Sequence, residues 1–335
     1  MQKLVIFWCR RDFRMLDNPA LFSAVKFARQ NECLFLPVFL LDKEILDNNI
    51  GPIRKEFLGK LLHSFDSQFQ DFGVKYAKAV DFFGELKTKF DLEIFANADI
   101  EPFAIARDKE IKKILGAKFH LYQDQVSVPS DTVSGTGNVY SVFSPFKRAV
   151  WDQFLQAPTC EVPDLKGLKF ANSAELGFEK DWKIQNFESK FLIKAGKIEA
   201  KRVPFGVTKK IINDELFYEL DMLKIRENEF DISTWDFEEK IVLSQFDYFV
   251  KHKLENYKKD RDYLGIEDAT SQMSVALKWG IVSARTLKNK VIETKNYPNI
   301  GAEHYISELI WREFYKYILL HHPKVLDTEF QAKFR

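Results

Sequence analysis

Five short apolar runs separated by amphipathic stretches fill the first third of the chain, and few folds accommodate that alternation. Leu4–Trp8, Leu34–Leu40, Val74–Ala79, Leu92–Ala96 and Lys118–Tyr122 have the length and composition of buried strands. Pro19–Gln30, Arg54–Phe72, Phe82–Phe90 and Phe103–Leu115 carry apolar residues at helical spacing. Strand and helix in turn at this interval predict an α/β domain with a parallel sheet and helices on both faces. Asn18-Pro19 adds a helix cap followed by a proline suited to the first helical turn.

The pattern changes near Val128. Pro129, Ser130, Ser134, Gly135, Gly137 and Asn138 mark a loop, and a short helix is expected over Phe143–Leu155. Pro158, Pro163, Gly167, Gly177 and Gly196 then punctuate a long, weakly periodic stretch. A connection of that length belongs on the surface between two domains. After Trp235 the patterns are helical: Glu238–Tyr257, Ser271–Trp279, Ala284–Thr294 and Ala302–His321. The expected organisation is an α/β domain over 1–128, an interdomain connection over 129–234 and a helical domain over 235–335. Two domains suit a chain of 335 residues.

Composition narrows the class. With 46% hydrophobic and 30% charged residues the chain reads as a soluble globular protein, and its 32 Phe supply an aromatic core. A net charge of +1 neither requires nor excludes a nucleic-acid partner, because a basic groove can be balanced by acidic surface elsewhere. Lys278, Arg285, Lys288, Lys290 and Lys295 against Glu293 form one locally basic stretch. Cys9, Cys33 and Cys160 are odd in number and widely spaced, as reduced thiols are. No His spacing suits a metal, and no segment has membrane or signal-peptide character, so a cytoplasmic protein is expected.

Two segments carry candidate chemistry. Glu308, Trp311, Arg312 and Tyr315 fall on one face of the last helix, whose other sides are filled by Ile306, Leu309, Ile310, Phe314, Tyr317 and Ile318. A helix apolar nearly all round is buried, so its Glu and Arg need partners. One reading is a Glu308–Arg312 pair with Trp311 as core. The other is a binding face, with Arg for phosphate, Trp for stacking and Glu for a base edge. Thr270-Ser271-Gln272-Met273-Ser274 opens a helical run, where hydroxyls and free N–H groups suit a pyrophosphate but also serve as ordinary caps. Neither GxGxxG nor GxxxxGK[ST] occurs.

These segments resemble blocks of the DNA photolyase/cryptochrome family. TSQMSVALKWGIVSAR, Thr270 to Arg285, is similar to the family's TS-x-L-S-x-x-L-x-x-G-x-[IL]-S-P-R, with Met273 for Leu and Ala284 for Pro. ELIWREFY, Glu308 to Tyr315, is similar without substitution. Tyr257 precedes Arg261-Asp262 as in the family's Y…RD segment, with one extra residue before Thr270. FWCRRDFRMLDNPAL, NADIEPFAIARD and TGNVYSVFSPFKRAVW resemble three N-terminal blocks, and all occur in family order.

The resemblance implies FAD as cofactor, held in a helical domain by Tyr257, Thr270, Ser271, Gln272, Met273, Ser274 and Arg312, with Tyr305 near the flavin. It implies damaged DNA as partner, with Glu308 and Trp311 lining the cavity for a flipped-out pyrimidine dimer, and Arg261 and Tyr315 on the DNA side. The implied activity is deoxyribodipyrimidine photo-lyase: blue-light-driven electron transfer from reduced flavin to a cyclobutane dimer, which needs no catalytic triad or metal. The alternatives are a cryptochrome-like light receptor and an inactive photolyase fragment.

Two departures qualify these expectations. In the family the chain continues well past the WREFY helix, so the helical flavin-binding domain is expected to be incomplete, as in a truncated product or one part of a split protein; complete, it would be a monomer. Glu101 matches a residue that contacts a folate antenna, yet Asp327 stands where a folate-binding relative would carry a lysine. A second antenna chromophore, whether a deazaflavin or another flavin, stays open, as does none.

Overall fold

The computed structural model describes residues 1–42, 52–173, 176–178, 191–194, 207–212, 215–220, 235–263, 265–266 and 268–330. Strands β1 (Lys3–Cys9), β2 (Leu34–Leu41), β3 (Gly73–Tyr76), β4 (Asp91–Asn97) and β5 (Phe119–Tyr122) form a parallel sheet in the order β3-β2-β1-β4-β5. Helices α1 (Pro19–Gln30), α2 (Pro52–Asp66), α3 (Ala79–Lys89) and α4 (Pro102–Leu115) connect them. Successive side chains of a strand point to opposite faces. Val5, Phe7 and Cys9 of β1 accordingly pack with Leu21, Val25 and Leu61 of α1 and α2. Leu4, Ile6 and Trp8 pack with Phe83, Leu86 and Ile111 of α3 and α4. The expected two-faced sheet is therefore present.

The connection is more structured than its weak periodicity implies. Helix α5 (Phe143–Gln156) is followed by β6 (Lys169–Phe170), which pairs with Leu34 and Phe35 of β2. Strands β7 (Phe191–Lys194), β8 (Val207–Ile212) and β9 (Glu215–Leu220) form an antiparallel sheet in the order β7-β9-β8. Gly196 and the terminal Gln331–Arg335 lie outside the described residues. The helical half contains α6 (Glu239–His252), α7 (Tyr257–Asp260), α8 (Ser274–Trp279), α9 (Ala284–Ile292) and α10 (Ile300–His321).

Several boundaries differ from the expected ones. Helix α2 ends at Asp66, and Phe69 and Phe72 preserve the apolar spacing as a ring cluster with Phe65, at 5.1 and 5.7 Å, not as helix. Strand β3 stops at Tyr76 because α3 begins at Ala79. The expected single helix over Glu238–Tyr257 is broken: Lys253 leaves helical geometry, Leu254–Asn256 form a tight turn, and α7 restarts at Tyr257. Helix α8 starts at Ser274, not Ser271, because Gln272 adopts φ +54°.

One buried charge network joins the two halves. Arg14 donates to Asp124 at 2.5 Å, and Arg285 of α9 donates to Asp124 at 2.7 Å and to Asp17 at 2.9 Å. Ser283 donates to the same Asp17 carboxylate at 2.5 Å. All five residues are buried. Beside them, the backbone of α8's end meets the loop after β1: a Cβ on Gly280 (φ +72°) would lie 2.0 Å from the Arg11 carbonyl oxygen, so only glycine fits.

Removing Asp124 leaves two buried guanidiniums with one carboxylate between them. Asp124→Asn is expected to lower the unfolding free energy in urea by about 3–5 kcal/mol. Burial raises the Asp124 carboxyl, but Arg14 and Arg285 outweigh it and hold the group below its ordinary value. Its contribution is present above the ordinary Asp range and is lost as pH falls through the lower folded-state value. Asp124→Asn should therefore lose less stability on acidification than the parent chain.

Candidate functional site

Helix α10 is the axis of the site. Asn299 caps it, its side chain accepting from the Ala302 N–H at 2.9 Å. A Cβ on Gly301 would lie 1.9 Å from the Leu254 carbonyl oxygen, so the turn before α7 can press against the start of α10 only at this glycine. That approach puts Tyr257 edge-on to Tyr305, ring centroids 5.3 Å apart, with Phe249 against both at 5.6 and 5.4 Å. The Tyr305 hydroxyl shares a hydrogen bond of 2.9 Å with Ser271. Burial pushes the phenols of Tyr305 and Tyr257 up, so both remain neutral donors.

Tyr257, Tyr305 and Ser271 line a cavity of about 460 Å³ between the halves, a size common for small-molecule sites. Of the expected flavin residues, Tyr257, Ser271, Met273, Ser274, Tyr305 and Arg312 line it; Glu308 and Glu101 do too. Thr270 and Gln272 instead open, with Ser271 and Met273, onto a neighbouring hollow of about 400 Å³. The helix-terminus reading of the TS segment is not met as drawn. Helix α8 has six residues, and its N-cap Met273 makes no side-chain cap bond.

The cationic wall is set by the loop after β5. Arg312 donates to the Gln125 carbonyl at 3.0 Å and to Glu313 at 3.2 Å. Lys316 donates to the same carbonyl at 2.7 Å and to the Gln125 side chain at 3.2 Å. Glu313 has no exposure and accepts the Ser127 N–H at 2.6 Å. Burial lowers the Arg312 guanidinium, and burial beside Arg312 holds the Lys316 ammonium well below its usual range. Sequence reasoning missed Lys316, although it extends the Glu308–Arg312 stripe by four residues.

The expected Glu308–Arg312 pair does not form. Glu308 meets Arg261 at 2.6 Å, with His304 at 3.8 Å, while Arg312 points the other way to Gln125 and Glu313. Arg261 sits with its guanidinium 5.4 Å from the Tyr257 ring centroid. Trp311 stacks on Phe143 of α5 at 3.5 Å and 9° and lies 5.5 Å from Tyr315, which is 64% exposed. Arg261, Trp311 and Tyr315 thus stand on the outer side of α10, not in the cavity lining. Glu101 pairs with Arg11, also on the cavity wall. Among the described residues no group of three acidic, Cys or His side chains suits a metal, and no helix is long and apolar enough to cross a membrane.

A cavity with aromatic walls, paired hydroxyls and the half-buried Arg312 and Lys316 fits a ligand that is part flat ring and part phosphate, as a flavin dinucleotide is. An α/β half joined to a helical half with such a site at the join is a recognisable class of protein. The family model described as DNA photolyase matches residues 5–164. A deoxyribodipyrimidine photo-lyase of Neurospora crassa is 25% identical over 349 residues, covering 97% of this chain and 52% of its own length. A Synechocystis cryptochrome superposes with a TM-score of 0.71 at 17% identity, covering 98% of this chain and 63% of the other. An archaeal photolyase from Sulfolobus tokodaii, solved with two FAD molecules, gives 0.65 at 19% identity, covering 99% and 63%. The chain thus resembles the DNA photolyase/cryptochrome family, which the family match, the relative and the two structures all support, and it spans 52%, 62% and 63% of the length of three curated relatives it matches.

The Gly301 contact gives a test of how the site is held. Gly301→Val forces α10 away from the turn at Leu254, at a cost of about 1–3 kcal/mol for overpacking. The melting temperature should fall, and the near-ultraviolet dichroism of the Tyr257–Tyr305 pair should weaken with it.

Proposed function

We propose that this chain is a flavin-dependent DNA photolyase, or the corresponding part of one, acting on cyclobutane pyrimidine dimers. The observation that carries the proposal is the division of labour along α10. Tyr305 and Arg312 face the cavity, Glu308 stands at its mouth, and Trp311 and Tyr315 lie on the outer side. Lys147, Lys258 and Arg261 all act on His304 beside that mouth, so cations, one of them paired with Glu308, stand where a nucleic-acid backbone would pass.

FAD is the proposed cofactor; bound and reduced, it supplies the light-excited electron donor. Arg312 and Lys316 would offer positive charge to its phosphates, with Ser271 and Ser274 as hydroxyl donors. Tyr257, Met273 and Tyr305 would pack against it and exclude water, and Thr270 and Gln272 would support the segment from the neighbouring hollow. Glu308 would hydrogen-bond the edge of a flipped-out base, Trp311 and Tyr315 would supply stacking surface, and Arg261 would meet a backbone phosphate. Glu101, paired with Arg11 on the far wall, is the residue proposed for an antenna chromophore.

The test is loss of dimers from a defined oligonucleotide under blue light, with a dark control. Light-dependent repair is expected, and Glu308→Ala should slow it at least about tenfold, the size of one lost charge-assisted hydrogen bond. Trp311→Ala should weaken binding of the dimer oligonucleotide by about 1–3 kcal/mol. Flavin retained without any light-dependent loss of dimers would contradict the repair activity and favour a light receptor.

A further inference from the structure

The cluster at the cavity mouth holds a carboxylate in a pairing that a polyanion would break. Arg261 clamps Glu308 at 2.6 Å, and this is the carboxylate proposed to face the base. Both side chains remain partly exposed, at 27% and 30%. His304, one helical turn before Glu308, lies 3.8 Å from the same carboxylate oxygen, too far for a hydrogen bond while Arg261 occupies it. Arg261 and Lys258 face His304 from α7 and its end, Lys147 from α5 and Glu308 from its own helix, with the Tyr257 ring at 6.1 Å.

We propose that DNA binding exchanges this latch: a backbone phosphate takes Arg261 from Glu308, and His304 gains a proton from solvent and takes over the carboxylate. The proposal rests on the photolyase reading of the site. In the free chain, burial and the cations Arg261, Lys258 and Lys147 hold the imidazole below its ordinary value, against Glu308. Phosphates neutralise those cations and leave Glu308 as the dominant neighbour, so the bound-state value is higher. The added affinity is present below the free-state value and is lost as pH rises through the bound-state value. The latch also keeps Glu308 paired until a phosphate arrives, which disfavours occupation of the mouth by groups that carry none.

Calorimetric titration of the full chain with a dimer-containing duplex, in the dark, tests this in two buffers of different ionisation enthalpy. Uptake of about one proton near pH 6.5 is expected, with binding weakening roughly threefold to tenfold between pH 6 and pH 8. His304→Gln, with His304→Asn as a second variant, should bind without the uptake and without the pH dependence. Glu308→Gln, which frees Arg261, should bind undamaged duplex about threefold tighter, where a merely structural role would weaken it. Preferential binding of dimer duplex with no proton uptake overturns the proposal, as does uptake that persists in both His304 variants. Absence of any preference for dimer over undamaged duplex overturns the photolyase reading, and the latch with it.

Discussion

The buried pairing of Asp17 and Asp124 with Arg14 and Arg285 fixes how the two halves meet. Charges of this kind cannot stand alone in a core, since each would lose its hydration with nothing in return. Arg14 comes from the loop after β1, Asp124 follows β5, and Arg285 lies on α9. Asp17 itself sits at φ +54°, a conformation uncommon for a non-glycine residue, and Ser283 and Arg285 hold its side chain there. The network can be satisfied in one relative placement, and that placement creates the cavity. The close approach of Gly280 to Arg11 allows no looser fit.

Within that frame α10 serves two environments. Its inner side is held from the α/β half by Gln125 and Ser127, which fix Arg312, Glu313 and Lys316 before any ligand arrives. Preorganised cations of this kind favour an anion because no further ordering is needed at binding. Glu308 at the cavity mouth and Trp311 and Tyr315 on the outer side are accessible to solvent, with Glu308 held by Arg261 and Trp311 by Phe143 of α5. The fixed side suits a resident cofactor and the adjustable side suits a substrate that comes and goes.

The sheet was legible because strands buried on both faces are apolar throughout, as β1 and β2 are. The ends of elements were less so. The break between α6 and α7 follows from contact with Gly301, some fifty positions on, and nothing local to Lys253 announces it. Strands β8 and β9 mix charged and apolar residues without a long apolar run, so the connection read as loop. Glu308 and Arg312 had the spacing of a helix pair, yet each found another partner: the distant Arg261 for one, the distant Gln125 and the adjacent Glu313 for the other. Spacing identified the residues that share a face, and long-range packing decided what each would hold. Phe143 and His304 entered the site by the same route, through the packing of α5 and α7 on α10.

The central claim is that the cavity at the join is a flavin site governed by Arg312. The most direct measurement is the absorption spectrum of the purified full chain, before and after incubation with FAD and removal of free ligand. Near-stoichiometric flavin that survives gel filtration, and is lost in Arg312→Ala while that variant still melts cooperatively, is the predicted result. A folded chain that remains colourless after incubation with FAD, or one whose flavin is indifferent to Arg312→Ala, would contradict it.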